Sequence, residues 1–90
     1  MDLIPAILTD RADDLKTKMR QSEAFTDYVQ IDIMDGKFVP SMSITAQELA
    51  EIETSLTMEI HLMVEDPLRH VAGFKEAGAL KIVFHYYRAS

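Results

Sequence analysis

The sequence predicts an α/β protein in which parallel strands alternate with helices. Three observations support this fold class. Short apolar runs alternate with segments whose apolar residues recur every three or four positions, and the links between these segments are short. In addition, no linker or low-complexity stretch divides the 90 residues. The expected element order is β-α-β-α-β-α-β, and residues 1–90 are expected to form a single domain.

The first part of the chain predicts two strands and one helix. Residues 3–8 form a short apolar run that is typical of a buried strand. Asp10 is the expected N-cap of a helix over residues 11–24, whose acidic first turn and later basic residues suit the helix dipole. Tyr28–Met34 predicts a second strand. A loop that turns at Gly36 follows, because the helical pattern after the Asp-Gly pair argues against a hairpin.

A capping box marks the start of the second helix. Thr45 and Glu48 have the spacing at which a threonine hydroxyl and a glutamate carboxylate exchange hydrogen bonds with the backbone. Ile44 and Leu49 flank this pair at the spacing of a hydrophobic staple. The helix is expected to run to about residue 53.

The remaining chain predicts a strand over residues 57–64 and a helix from Asp66 to Gly78. A last strand is predicted over residues 80–86. Asp66 is the expected N-cap and Gly78 the expected C-cap of this helix. The strand–helix unit therefore repeats about every 25 to 30 residues, which is the unit size of a (β/α)-barrel with eight units and typically ~250 residues. The chain is expected to form about half of such a barrel.

Composition excludes several classes of protein. The chain has no cysteine, which excludes a disulfide scaffold, a thiolate metal site and a thiol nucleophile, and makes the cytoplasm the expected location. Nine basic and fifteen acidic residues give a net charge of −6, so nucleic acid is not an expected partner. No apolar run approaches the ~18 residues of a membrane span, and no membrane attachment is expected.

Alternation along the strands assigns each side chain to a face of the predicted sheet. The apolar alternates of the second and third strands are expected to meet the helices: Val29, Ile31, Ile33, Met58, Ile60 and Leu62. The inward positions are Gln30, Asp32, Met34, Glu59, His61 and Met63. An unpaired carboxylate is costly to bury, so an inward Asp32 predicts a polar site in contact with a metal, a ligand or solvent.

Asp32 and His61 are expected at the C-terminal ends of neighbouring parallel strands, where barrels of this type carry out catalysis. A carboxylate and an imidazole are a workable ligand pair for zinc, iron, manganese or cobalt. The residues alone leave a structural alternative open, in which Asp32 caps a loop and His61 is a hydrogen-bonded core histidine. Likewise, Met34 and Met63 could be flexible core side chains.

Several segments together resemble the ribulose-phosphate 3-epimerase family. These are DIMDGKFVP at residues 32–40, HLMVEDP at residues 61–67 and FKEAGA at residues 74–79, and the similarity extends over residues 3–85. The resemblance implies a (β/α)₈ barrel that inverts carbon 3 of a phosphorylated pentulose. Two aspartates on opposite faces of the substrate would act as base and acid around a divalent metal ion, Zn, Fe, Mn or Co.

The resemblance also assigns roles to individual residues. Asp32 matches the first of the two aspartates and is also a metal ligand, and His61 matches a metal-binding histidine. Met34 and Met63 match thioether side chains that line the family's site. His85, at the end of the fourth strand, is expected to line the site, although a strand-end histidine held by hydrogen bonds is the alternative.

Two positions depart from the family's pattern. Gln30 stands where the family usually has a second metal histidine, and an amide oxygen is a weaker ligand, so zinc affinity should fall. Ala6 stands where a serine commonly helps to hold the substrate. These departures leave open another phosphosugar-binding barrel enzyme or a non-catalytic half-barrel. A half-barrel exposes two strand edges, so the chain is expected to form a homo-oligomer.

Overall fold

The computed structural model describes residues 4–36 and 43–84. Four strands alternate with three helices along these residues. The elements are β1 (Ala6–Ile7), α1 (Ala12–Glu23), β2 (Tyr28–Met34), α2 (Ala46–Ala50), β3 (Thr57–Met63), α3 (Leu68–Glu76) and β4 (Ala79–Phe84). In the described part of the chain, no helix is long and apolar enough to cross a membrane.

The strands form one parallel sheet in the order β1-β2-β3-β4, which confirms the predicted fold class and strand order. This arrangement is that of a partial (β/α) barrel. The register between β2 and β3 decides which side chains are neighbours. It pairs Gln30 with Glu59, Asp32 with His61, and Met34 with Met63.

One face of the sheet forms the hydrophobic core with the helices. The predicted alternation is confirmed, because the outward alternates of β2 and β3 are all buried: Val29, Ile31, Ile33, Met58, Ile60 and Leu62. The helices contribute Leu15 and Met19 from α1, Leu49 from α2 and Phe74 from α3 to the same cluster. The opposite face is therefore free to carry polar side chains.

The predicted capping box is present at the start of α2. The Glu48 backbone N–H donates to Thr45 Oγ1 (3.2 Å), and the Thr45 N–H donates to Glu48 Oε1 (2.9 Å). Ile44 and Leu49 are both buried in the core, as a staple requires. The helix itself ends at Ala50, three residues before the predicted end.

The two aspartate N-caps were wrong. The N-cap of α1 is Arg11, without a side-chain hydrogen bond, because Thr9 Oγ1 accepts from the Arg11 N–H (3.2 Å) and turns the chain instead of Asp10. The N-cap of α3 is Pro67 (φ −61°, ψ −33°), without a side-chain hydrogen bond, and Asp66 lies one residue outside.

The other boundaries differ by a few residues. The first strand is confined to Ala6–Ile7, and α3 ends at Glu76 with Ala77 as its C-cap. Gly78 follows at φ 108°, a backbone conformation that glycine adopts without strain. Gly36 likewise turns at φ 79°, as predicted, whereas residues 37–40 of its loop and residues 85 and 86 of the predicted last strand lie outside the described residues.

Phe74 anchors α3 in the core, and its truncation is expected to destabilise the fold strongly. Phe74→Ala should lower the free energy of unfolding by about 3–5 kcal/mol, because a buried aromatic ring is replaced by a cavity. Phe25→Ala is the matched control. The Phe25 side chain is 65% exposed, so the same change there should cost less than about 0.5 kcal/mol. Urea denaturation of both variants measures the difference, and equal losses would contradict the position of α3.

Glu23 links the end of α1 to the loop before β3, and this link should make stability depend on pH. Its Oε2 accepts from Thr54 Oγ1 (2.7 Å) and from the Ser55 N–H (3.1 Å), and these hydrogen bonds lower the pKa of the Glu23 carboxyl. Because the folded-state pKa is lowered, the stabilisation is present above the ordinary value of 4.5 and is lost as the pH falls through the folded-state value.

Glu23→Gln is therefore expected to lower the urea midpoint at neutral pH and to have a smaller effect in acid, below 4.5. Glu53→Gln, an exposed carboxyl in the same loop, is the matched control and should leave the midpoint unchanged at both pH values. A Glu23→Gln midpoint that differs from the wild type by the same amount at neutral and acid pH would contradict the linkage.

Candidate functional site

The polar face of the sheet carries three pairs of side chains on β2 and β3. The strand register places Gln30 beside Glu59, Asp32 beside His61, and Met34 beside Met63. Because both strands are parallel, each pair lies at the same height on the sheet, and the last two pairs lie toward the C-terminal ends. The inward positions predicted from alternation are therefore on one surface.

Asp32 and His61 line the same cavity, of about 280 Å³, together with Leu62, Met63 and Val83. The structure thus brings together the carboxylate and the imidazole that the sequence singled out. Both residues are only partly buried, so a ligand in the cavity could reach them.

The other predicted site residues are distributed differently. Met34 lines a separate apolar cavity of about 230 Å³, whereas Met63 lines the cavity of Asp32. Ala6 pairs with Gln30 across β1 and β2 and is exposed. His85 lies outside the described residues.

Glu59 is the centre of a hydrogen-bond network that the sequence did not reveal. Its side chain is 9% exposed. Glu59 Oε1 accepts from the Tyr28 hydroxyl (2.8 Å) and lies 3.7 Å from Lys81 Nζ, while Oε2 accepts from Gln30 Nε2 (3.1 Å). The same Oε2 contacts His61 Nε2. Both carboxylate oxygens are therefore engaged by residues of three strands.

This network favours an ionised Glu59. The hydrogen bond from His61 contributes most, followed by that from Tyr28, and together they lower the pKa of the Glu59 carboxyl. The same contact raises the pKa of the Tyr28 hydroxyl, because a phenolate would face the carboxylate without a proton between them. Tyr28 is thus a donor and Glu59 an acceptor. The signal available in the sequence was the inward position of Glu59, two residues before His61.

The metal-binding capacity of the face rests on two side chains. Among residues 4–36 and 43–84, no group of three or more histidine, cysteine, aspartate or glutamate side chains could hold a metal ion. Asp32 and His61 offer one carboxylate and one imidazole to the shared cavity, whereas the amide nitrogen of Gln30 is directed to Glu59. Protein metal sites use three or four protein ligands, so the pair fits part of such a site.

These features define a (β/α)-barrel protein whose polar site lies toward the C-terminal ends of its parallel strands. Comparison with protein families then specifies the family. The model of the Ribulose-phosphate 3 epimerase family matches residues 2–90, and the chain belongs to this family.

Three relatives illustrate the similarity, with 36% to 42% of their aligned residues identical to this chain. The chain is similar to the ribulose-phosphate 3-epimerase of Chlamydia pneumoniae, 36% identical over 71% of this chain and 29% of the relative. The enzyme of that name from Chlamydia trachomatis is 38% identical over 74% of this chain and 30% of the relative. The one from Bacillus subtilis is 42% identical over 59% of this chain and 25% of the relative. The matched part of the chain thus spans less than a third of these relatives' length.

Proposed function

We propose that the chain supplies half of the barrel of an enzyme that interconverts ribulose 5-phosphate and xylulose 5-phosphate in the cytoplasm, with Asp32 as one of its two acid–base groups. The observation that carries this proposal is the position of Asp32, which faces a cavity shared with His61 near the ends of adjacent parallel strands. Membership of the Ribulose-phosphate 3 epimerase family and the names of the relatives support it.

The proposed reaction requires a carboxylate on the strands and a second acid on the other side of the substrate. Carbon 3 of the pentulose lies next to the carbonyl carbon, so its proton can be removed with formation of an enediolate. The Asp32 carboxylate accepts this proton on one face, and inversion requires that a proton return from the opposite face. The resemblance to the family implies a second aspartate for that step, supplied by the rest of the barrel.

A divalent metal ion, Zn, Fe, Mn or Co, would be held by Asp32 and His61 together with donors from the rest of the barrel. When bound, it would supply positive charge beside the oxygens of the enediolate. Asp32 and His61 are the ligands that this proposal commits to, and Met63 contributes an apolar wall to the same cavity. The Met34 side chain and His85 are proposed to line the substrate side of the completed site.

The Co²⁺ affinity of variants should distinguish side chains that bind the metal ion from side chains that only lie beside them on this face of the sheet. Asp32→Asn and His61→Gln are each expected to weaken Co²⁺ binding about 10-fold or more, since each removes one of two strong donors. Gln30→Met should weaken it less than either, because an amide oxygen is a weaker ligand than a carboxylate or an imidazole. Calorimetric titration of the chain with Co²⁺ measures the three affinities. A loss in Gln30→Met as large as that in His61→Gln would contradict this ranking of the three residues.

The proposed activity is tested in a polypeptide in which the rest of an epimerase barrel follows residue 90. A coupled assay of xylulose 5-phosphate formation, with divalent metal added, should record turnover of ribulose 5-phosphate. Phosphosugar binding without turnover would favour a different barrel enzyme, in keeping with Gln30 and Ala6 at positions where the family usually has histidine and serine. Absence of both binding and turnover would favour a non-catalytic half-barrel.

We also propose that the chain self-associates through its sheet edges. In the described part of the chain, β1 and β4 each pair with one strand only. Apolar side chains on or beside these edge strands are exposed: Leu80 (72%), Leu8 (49%) and Ile4 (47%). Unpaired edges with exposed apolar residues favour contact with another copy.

A further inference from the structure

The hydrogen-bond network around Glu59 indicates a positioning role for Glu59 and Gln30, two residues that take no part in the proposed reaction. We propose that Glu59 is a positioning residue that holds His61 with the proton on Nε2 and the lone pair on Nδ1, and that Gln30 anchors Glu59 through its amide nitrogen. The inference rests on the proposed function only for the use of His61 as a ligand.

The contact between Glu59 and His61 fixes which imidazole nitrogen is available. Oε2 of Glu59 contacts Nε2 of His61. Tyr28 and Gln30 both donate to Glu59, so its carboxylate is the acceptor of the network and Nε2 of His61 is the donor. In a neutral imidazole the second nitrogen, Nδ1, then holds the lone pair. A carboxylate that receives the other ring N–H of a ligating histidine is the usual way in which such a ring is oriented.

Glu59 can orient His61 because it is itself held on both oxygens. Tyr28 donates to Oε1 (2.8 Å) and Gln30 donates to Oε2 (3.1 Å), both from the adjacent strand β2. Gln30 and Glu59 are register partners, so their distance is set by the sheet and not by a loop. A side chain that is 9% exposed and bound on each oxygen loses little further freedom when it binds the imidazole.

The position of Gln30 therefore has a consequence for the site. An amide nitrogen cannot ligate a metal ion, and this one is directed to Glu59 Oε2. The family resemblance implies a second metal-binding histidine at this position. In this chain Gln30 donates to Glu59 and so supports the orientation of the remaining histidine, His61. The predicted outcome is a site with one imidazole ligand whose orientation depends on Glu59.

Nuclear magnetic resonance of the metal-free chain, labelled with ¹⁵N in its histidine side chains, tests the inference. His61 should give an N–H proton bound to Nε2, because this nitrogen faces the Glu59 carboxylate. The His61→Gln variant identifies the signal by its loss. A proton on Nδ1, or protons on both nitrogens, would overturn the inference.

Two variants test the role of Glu59 itself. Glu59→Met keeps the shape of the side chain and removes the acceptor, so the Nε2 proton should exchange with water and its signal disappear. Glu53→Met, the matched control, makes the same change at an exposed glutamate outside the network and should leave the signal in place. The His70 signal, from α3, serves as an internal reference for folding. Persistence of the His61 signal in Glu59→Met would overturn the inference.

Metal affinity gives a second measurement. Glu59→Met should weaken Co²⁺ binding about 10- to 100-fold, the usual effect of losing a partner of a ligating histidine, and Glu59→Asp should restore part of it. An unchanged Co²⁺ affinity in Glu59→Met would contradict the positioning role. A barrel without epimerase turnover that nevertheless has the Nε2 proton, and loses it in Glu59→Met, would support this inference while contradicting the proposed function.

Discussion

Asp32→Asn is expected to lower epimerase turnover by about 10²- to 10⁴-fold in a polypeptide that carries the complete barrel. The amide has nearly the same shape as the carboxylate and fills the same place in the cavity beside His61. It cannot accept a proton from carbon 3 of the substrate, so the step that begins the inversion loses its base. The coupled assay of xylulose 5-phosphate formation measures the loss.

Two controls test whether the loss of turnover comes from the loss of the Asp32 base. Asp13→Asn changes an exposed aspartate on α1 in the same way and should retain full turnover. The assay is repeated at saturating metal, because Asp32 is also a proposed ligand and weaker metal binding alone would be overcome by added metal. Turnover of Asp32→Asn that returns to the wild-type level at high metal concentration would identify Asp32 as a ligand only.

The pairing of Asp32 with His61 could be predicted because strand periodicity is a local property. On each strand, burial of the apolar alternates determines where the polar ones point, as the buried Ile31 and Ile60 illustrate. The C-terminal ends of neighbouring parallel strands meet at the same edge of a sheet, and the observed register then pairs the two residues directly. The sequence is therefore sufficient to place a carboxylate and an imidazole on one face of the sheet.

The role of Glu59 could not be predicted in the same way. Alternation places it on the polar face, but its partners come from β2, β3 and β4, and only the register brings Tyr28 and Gln30 to its two oxygens. The predicted N-cap of α1 was wrong for a different reason. Thr9 and Asp10 are both good capping residues next to each other, and the hydrogen bond that the Thr9 hydroxyl accepts decides between them.

The 90-residue chain by itself is expected to show no epimerase turnover in the same assay, although it should bind metal weakly. The sheet of residues 4–36 and 43–84 has four strands, whereas a closed barrel of this type has eight. The carboxylate and imidazole are present, but the acid for the opposite face and the groups that hold the substrate phosphate are proposed to come from the rest of the barrel. Without the second acid, the rate should be about 10²- to 10⁴-fold lower. Poorer positioning of the substrate can raise the activation barrier by about 7 kcal/mol more.

Self-association should not restore this activity. Two copies could form a closed sheet of eight strands with two-fold symmetry, and light scattering of the chain should then give the mass of a dimer. In such a barrel the β3 strand of the second copy takes the seventh position and presents another His61, not an aspartate that could act as the second acid. The coupled assay, run at a concentration where light scattering shows the dimer, should therefore still record no turnover. Turnover by the dimer that disappears in Asp32→Asn would mean that the second acid lies within these 90 residues.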